Sequence, residues 1–117
     1  MTNPANVIPF DMSVPAREAV TDDPAAVDTP YHATSWRHFQ NEGKGASAGI
    51  WEAEPHLDRC KCDFDEMCHI LEGEVCLTDS AGVQRRFGAG DTFVVAAGFD
   101  GTWENLTHVR KVYFILA

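Results

Sequence analysis

The stretch QRRFGAGDTFVVAAGFDGTWEN, residues 84–105, decides the fold. It contains three short apolar or alternating runs, which are separated by GAGD at residues 88–91 and by GFDG at residues 98–101. Glycine and aspartate suit tight turns, because they tolerate positive φ or form Asx turns. Runs this short, punctuated in this way, are typical of the strands of an all-β sandwich or barrel.

The same pattern of short apolar or alternating runs separated by glycine extends over residues 36–117 and leaves little room for helices. The alternation within each run predicts strands, because successive side chains of a strand point to opposite faces. Eight strands in this length fit a small jelly-roll barrel. We expect them at residues 48–53, 59–62, 66–71, 74–78, 84–87, 92–96, 102–105 and 109–116.

The first 35 residues differ in composition, since they contain five of the six prolines. Proline removes a ladder donor and fixes φ, which argues against a sheet core in this part of the chain. We therefore expect two regions, an N-terminal arm over residues 1–35 and a barrel over residues 36–117. The apolar segment VIPF at residues 7–10 either docks on the barrel or on a second subunit, or belongs to a mobile tail.

Composition excludes several classes of partner. The 117 residues carry 18 acidic and 9 basic side chains, for a formal charge of −9, which opposes binding to nucleic acid or to an anionic membrane surface. No apolar stretch approaches the roughly 18 residues of a membrane-spanning helix. Residues 1–6 lack the basic and apolar regions of a secretory signal, so we expect a cytoplasmic protein with reduced cysteines.

Two spacings resemble the motifs of the cupin superfamily. Glu66 and Gly73 match the end of the first motif, G-x5-H-x-H-x3-4-E-x6-G, and Gly90, Gly98 and Asn105 match the second, G-x5-P-x-G-x2-H-x3-N. The surrounding residues resemble the branch related to (S)-ureidoglycine aminohydrolase and to the ethanolamine-utilisation cupin. The resemblance implies a cupin double-stranded β-helix, that is, a jelly-roll barrel, over about residues 47–116.

Departures from these motifs fall on the metal ligands. In metal-binding cupins two histidines, a glutamate and a third histidine hold a divalent ion, and these positions correspond here to Cys60, Cys62, Glu66 and Gly101. A glycine offers no side-chain ligand. Two thiolates and a carboxylate would suit zinc or iron, and the resemblance leaves manganese or nickel open as well. The alternative is that both cysteines fill space as small apolar residues and that no metal is bound.

Glu66 is also the candidate acid or base. An apolar barrel disfavours the charged form of a carboxyl, which prepares it for proton transfer near neutral pH. The alternative role is a structural carboxylate bonded to a neighbouring strand.

Aromatic and cationic side chains are the candidates for ligand binding. Trp51, Trp103 and Tyr113 would stack on a small, partly planar ligand and offer it an indole N–H or a hydroxyl, or they form ordinary core. Lys111 lies on the same strand face as Tyr113, where it would pair with Glu66 or hold a substrate carboxylate, unless it lies in water at the strand end.

These residues predict a small cupin-fold protein that binds a small polar metabolite in the barrel. Two hypotheses remain open at this point. The protein is either an enzyme of the hydrolase, deaminase or isomerase type, or a non-catalytic accessory protein that has lost its metal centre. Because cupins of this size commonly pair through edge strands, the resemblance also implies a homodimer.

Overall fold

The computed structural model describes residues 3–117 of the chain. Over this range the chain forms ten β-strands and one short 3₁₀ turn at Glu42–Lys44. The strands are β1 Arg17–Thr21, β2 Tyr31–Asn41, β3 Ala46–Ala53, β4 His56–Lys61, β5 Asp65–Glu72, β6 Glu74–Asp79, β7 Gln84–Gly88, β8 Thr92–Val95, β9 Asp100–Asn105 and β10 Val109–Leu116.

All strand pairs are antiparallel and build two sheets. One sheet has six strands in the order β1-β2-β3-β10-β5-β8, and the other has four in the order β4-β9-β6-β7. The chain alternates between the sheets, so strands distant in sequence become neighbours. This is the jelly-roll barrel of a cupin, and the predicted all-β fold is confirmed. Each predicted strand recurs, and the largest shift is at β4, which begins at His56 rather than at residue 59.

The core lies between the sheets at one end of the barrel. Its fully buried side chains come from β5, β6 and the start of β10: Cys68, Ile70, Val75 and Val109. Phe87 stacks on Phe93 with ring centroids 3.9 Å apart, which seals this end. Apolar burial here supplies the driving force for closing the two sheets. The other end of the barrel stays open.

The N-terminal residues take a larger part in the barrel than their prolines indicate. β1 and β2 extend the six-stranded sheet, in register from Arg17–Ser35 to Thr21–Tyr31, so the sheet begins well before residue 36. The prolines flank these strands and do not interrupt them, and β1 is an edge strand that needs partners on one side only. Residues 17–35 therefore differ from the arm that composition predicts.

The connection between β1 and β2 is fastened to β4. Val27 is buried and forms an isolated bridge with Asp58. The Arg59 guanidinium donates to the carbonyls of Pro24 at 2.7 Å and Ala25 at 3.1 Å, and to Asp28 at 3.0 Å. These bonds hold the connection against the four-stranded sheet, beside the open end of the barrel.

The tight connection between β5 and β6, which lie in different sheets, requires glycine at position 73. Gly73 has φ +91°, and a Cβ there would lie 2.1 Å from the carbonyl oxygen of His108 in the β9–β10 connection. The glycine that ends the first cupin motif thus has both a conformational and a steric reason, because a side chain would be strained at this φ and would collide with the neighbouring connection.

The apolar segment near the N-terminus contacts the barrel through one ring. Phe10 stacks on His38 of β2, with ring centroids 4.5 Å apart, while Val7 and Ile8 remain exposed. Among residues 3–117 there is no helix with the length and apolar character that crossing a bilayer requires.

Candidate functional site

The open end of the barrel holds a cavity of about 430 Å³. Its wall includes all the side chains that the sequence proposed for a site: Trp51, Cys60, Cys62, Glu66, Trp103, Lys111 and Tyr113. This volume falls in the range of sites that take small metabolites.

Strand register explains why the side chains from the six-stranded sheet meet. Trp51 of β3 lies opposite Ser35 on one side and Lys111 on the other, so the three share the inner face. Glu66 lies opposite Ile115 of β10 and Val95 of β8 on that same face. The two-residue period, which placed Lys111 and Tyr113 together, therefore points both into the barrel.

Lys111 is the central cation of the cavity. Its Nζ donates to Glu66 Oε2 at 2.9 Å and lies 3.8 Å from Cys68 Sγ. The ammonium also lies over two indole faces, 4.7 Å from the ring centroid of Trp51 and 4.2 Å from that of Trp103. The lysine side chain is 9% exposed. Cation–π contacts of this kind strengthen when the cation is withdrawn from water.

The surroundings keep Lys111 charged despite its burial. Burial acts to lower its pKa, but the negative charge of Glu66, with a smaller contribution from Asp58, outweighs burial and raises the pKa. The pair is thus an ammonium hydrogen-bonded to a carboxylate in the cavity wall.

A hydrogen-bond chain fixes the orientation of Trp103. Its indole Nε1 donates to Asn105 Oδ1 at 2.7 Å, and Asn105 Nδ2 donates to the Ala53 carbonyl at 3.2 Å. Asn105 is the last residue of the second cupin motif and is 2% exposed. Its role here is to lock the indole that stacks on Lys111, since both partners of the amide are buried.

Asp58 and His56 form a second polar pair on the opposite wall. His56 Nδ1 lies 2.8 Å from the Glu54 carbonyl, which can only accept, so Nδ1 carries a proton. His56 Nε2 then faces Asp58 Oδ1 at 3.8 Å, and this oxygen is buried without a hydrogen-bond partner within residues 3–117. Tyr31 stacks on the imidazole with ring centroids 3.4 Å apart.

Burial raises the pKa of Asp58, although the nearby His56 and Lys111 act in the opposite direction. The Asp58 side chain remains 25% exposed and lines the cavity. A carboxyl with an unpartnered oxygen beside an imidazole can accept, hold and return a proton.

The donor set does not fit a divalent metal ion. Burial, reinforced by Cys62 and Asp58, raises the pKa of Cys60 to about 12, and burial raises the pKa of Cys62, so an ion would have to displace a proton from each thiol. Glu66 already binds an ammonium at 2.9 Å, where an ion would need it. Within residues 3–117 no group of three histidine, cysteine, aspartate or glutamate side chains is arranged to hold a metal.

Gly101 corresponds to the missing ligand and lies opposite Cys60 in the β4–β9 pairing. A Cβ at this position would lie 2.0 Å from the Thr78 carbonyl oxygen and 2.9 Å from Phe99 Cζ. The Phe99 ring, which lines the cavity, occupies the space in front of this glycine. A side-chain ligand at position 101 would need both neighbours to move.

The sequence did not predict several residues that line the cavity, among them Arg17, Tyr31, Ser35, Arg37 and Asp58. Arg17, Tyr31 and Ser35 lie within residues 1–35, which the proline content assigned to an arm, whereas Arg37 lies in the predicted barrel ahead of its first predicted strand. The signal that could have found them is the two-residue period of residues 31–37, where positions 31, 33, 35 and 37 fall on one face.

The two sheets and their inward-facing polar cavity define a cupin barrel. The chain belongs to the family of EutQ-like cupin domains, whose model matches residues 40–113. Among curated proteins no significant match was found.

Solved structures with the same fold include three of this kind. A protein of unknown function of the DUF861 family from Pseudomonas syringae pv. tomato has a TM-score of 0.80 at 23% identity, over 91% of this chain and 46% of that chain. The EutQ protein of Clostridium difficile has a TM-score of 0.65 at 14% identity, over 74% of this chain and 63% of its own. This chain thus spans less than two thirds of either protein.

A DUF861 family protein from Thermotoga maritima is more similar in sequence, at 36% identity, over 55% of this chain and 73% of its own, with a TM-score of 0.53. None of these names an activity that the present cavity could be compared with.

Proposed function

We propose that this protein binds a small polar metabolite in the barrel cavity and does so without a resident metal ion. The observation that carries the proposal is the buried Lys111–Glu66 pair between two indole faces, with Nζ 2.9 Å from Oε2. The Lys111 ammonium occupies the position beside Glu66 that a metal ion takes in metal-binding cupins, and it supplies a positive charge to the cavity. Its cost of burial is offset by the carboxylate and the two rings.

The remaining wall supplies recognition. Trp51 and Trp103 provide flat apolar surface, and Tyr113 provides a phenol whose pKa is raised by burial, so that it stays a neutral donor. Asp58 and Ser35 add acceptors and a hydroxyl on two sides. A few convergent polar groups in an otherwise aromatic cavity are the usual basis for orienting a small ligand.

A panel of small hydroxy, amino and carboxylic acids, measured by thermal shift and ligand-observed NMR, tests the proposal. Trp51→Leu, inside the cavity, should abolish the binding seen with the unchanged protein. Trp36→Leu is the matched control, because Trp36 lies opposite Ile50 on the outer face of the same sheet. If no compound binds, or if both variants bind equally well, the cavity is not the binding site.

A second candidate function is proton-transfer catalysis, favoured by the buried, unpartnered Asp58 Oδ1 beside His56. Isomerisation of the bound metabolite needs only a base that removes a proton and returns it, whereas hydrolysis or deamination also needs an activated water. Glu66 suits this role less well than Asp58, because its Oε2 already accepts from Lys111.

Turnover of any compound found to bind separates the enzyme from the accessory protein. Asp58→Asn should remove turnover and retain binding if Asp58 is the base. Loss of turnover in Glu66→Gln alone, with ligand binding retained to show that the variant is folded, would return the acid–base role to Glu66. Binding with no turnover of any compound in the panel favours the non-catalytic reading.

We propose that the protein is cytoplasmic, because its cysteines are reduced. All four, Cys60, Cys62, Cys68 and Cys76, are free thiols. Reducing compartments keep thiols in this form. Fractionation of the native cell followed by detection of the protein tests the location, and recovery outside the cytoplasm would contradict it.

A further inference from the structure

We propose that Arg17 and Arg37, carried on the first two strands, bind the carboxylate of a monoanionic ligand at the mouth of the cavity. The inference rests on the proposed binding function and names the class of ligand. In this arrangement the anionic group stays near solvent, and the uncharged end of the ligand reaches inward toward Lys111 and Asp58.

Placement is the first argument. Arg17 of β1 lies opposite Ser35, and Arg37 follows two residues later on β2, so both lie on the inner face of the sheet and line the cavity. Both are exposed, which places them at the entrance. Arginine presents a planar fork of donors that matches a carboxylate with two parallel hydrogen bonds.

Both guanidiniums are free of an anionic partner. Within residues 3–117 the ion pairs involve Arg59, Arg110, Lys111 and histidines, and neither Arg17 nor Arg37 takes part in one. Lys44, Lys61, Arg85 and Arg86 are unpaired within this range as well, but of these six cations only Arg17 and Arg37 line the cavity. Such a local positive field attracts and orients anions.

Tyr113 shows that the field of both arginines reaches into the cavity. Burial raises its pKa, while Arg37 and Arg17 act in the opposite direction. A Cβ on Gly49 would lie 3.0 Å from the Tyr113 hydroxyl, so that hydroxyl lies over β3 opposite Arg37 in the sheet register. The phenol is thus a third donor next to the proposed carboxylate site.

Charge balance limits the ligand to one negative charge. The charged side chains of the cavity are three cations, Arg17, Arg37 and Lys111, and two carboxylates, Asp58 and Glu66. With all five ionised the cavity carries one net positive charge. A carboxylate monoanion neutralises it, whereas a phosphate monoester, which is a dianion, would leave an excess negative charge facing Glu66 and Asp58.

The site lies outside the family's matched domain. The family model covers residues 40–113, and both arginines precede it. The first two strands therefore add an anion-binding edge to the cupin barrel, which explains why β1 and β2 are fastened to the barrel by Arg59 and Val27.

Matched ligands test the inference. Two small skeletons, linear hydroxy acids and hydroxybenzoates, are each offered as the carboxylate, as the primary amide and as the compound in which a phosphate monoester replaces the carboxylate. Binding is followed by the fluorescence of the cavity tryptophans and by NMR. We expect carboxylates to bind at least about tenfold more tightly than their amides, because hydrogen bonds to a charged group contribute that much to the binding free energy. We also expect them to bind more tightly than the corresponding phosphates.

The variants Arg17→Gln and Arg37→Gln should each lose this preference in part, and the double variant should bind acid and amide equally. Added salt should weaken carboxylate binding to the unchanged protein more than to the double variant. Arg86→Gln is the control, because Arg86 is an exposed residue of β7 in the other sheet and does not line the cavity.

The outcomes separate the two proposals. Equal binding of acids and amides by the unchanged protein overturns the carboxylate site and leaves the binding function intact. Tighter binding of the phosphates overturns the restriction to monoanions. Failure of every skeleton at millimolar concentration overturns the binding function itself, and the carboxylate site with it.

Discussion

The Nζ of Lys111 lies 2.9 Å from Oε2 of Glu66, across 45 positions of sequence, in a cavity wall where the lysine side chain is 9% exposed and the glutamate 17%. Burying two charges costs desolvation free energy, which their mutual attraction offsets. Removing one partner leaves the other charge buried and uncompensated, so it destabilises the fold more than replacing both partners with apolar residues. The pair therefore links stability to the chemistry of the cavity.

Removing one partner should destabilise the fold strongly. We expect Glu66→Gln to lower the free energy of unfolding by about 3–5 kcal/mol, because an ammonium is left buried without its counter-charge. The double variant Glu66→Leu/Lys111→Met should recover most of that loss. Urea unfolding of the single and double variants measures both values. The control is Glu52→Gln, whose exposed pairs with His108 and Arg110 are worth about 1 kcal/mol or less; equal losses at positions 66 and 52 would contradict the expectation.

Asp58 should make the folded protein more stable as the pH falls. Its pKa is raised in the folded state above the ordinary value of an aspartate, chiefly by burial. The cost of the ionised form is therefore fully present above the folded pKa and disappears below the unfolded one. Asp58→Asn should raise the melting temperature at neutral pH, and this gain should shrink as the pH falls toward about 4. A gain that stays constant over this range would show that burial of the charge is not its cause.

The thiols of Cys60, in the cavity wall, and of Cys68, in the core, should react slowly with alkylating agents. The pKa of Cys60 and that of Cys68 are raised to about 12, in both cases chiefly by burial, so little thiolate exists near neutral pH. We expect iodoacetamide to modify both far more slowly in the folded protein than in urea, where all four cysteines serve as the reference. Mass spectrometry of the digested protein assigns each site. Modification of Cys60 at the unfolded rate would rule out a protonated, protected thiol.

The protein purified without chelator should contain substoichiometric zinc, iron, manganese and nickel. The physical reason is that Lys111 occupies the cation position beside Glu66 and that an ion would have to displace the protons of the Cys60 and Cys62 thiols. Elemental analysis by plasma mass spectrometry, with the Cys60→Ala/Cys62→Ala variant alongside, measures this. About one ion per chain that disappears in the variant would establish a thiolate metal centre and overturn the metal-free proposal.

We expect a homodimer that buries the outer face of the six-stranded sheet. Phe39, Ala48, Phe114, Met67 and Val94 lie opposite one another across five strands and form one apolar row. Phe114 is 41% and Val94 is 62% exposed, and a second copy would cover them symmetrically. Light scattering should give twice the mass of one chain for the unchanged protein. The variant Val94→Lys should give the mass of a single chain. Val83→Lys, in the turn of the other sheet, is the control; a monomeric unchanged protein would refute the dimer.

Short alternating runs predict the barrel, and together with the cupin motif spacings they predict part of its inner wall. All seven proposed side chains line the cavity, and the two-residue period explains why neighbours such as Lys111 and Tyr113 do so together. Residues 1–35 were predicted as an arm from their proline content, but the prolines lie outside the strands and leave β1 and the first half of β2 free to pair. Arg17 was missed for that reason, and Arg37 was missed because no strand was predicted before residue 48.

The cupin motifs and the face on which each strand residue lies can be taken from the amino-acid sequence, since they depend on spacing and on the two-residue period of a strand. Which inward residues meet depends on how the strands pair and the sheets pack. Pairing of β10 between β3 and β5 brings Lys111 to Glu66 and to Trp51, and packing of the two sheets brings Trp103 over the same ammonium. These contacts join residues far apart in the chain, and no local preference specifies them.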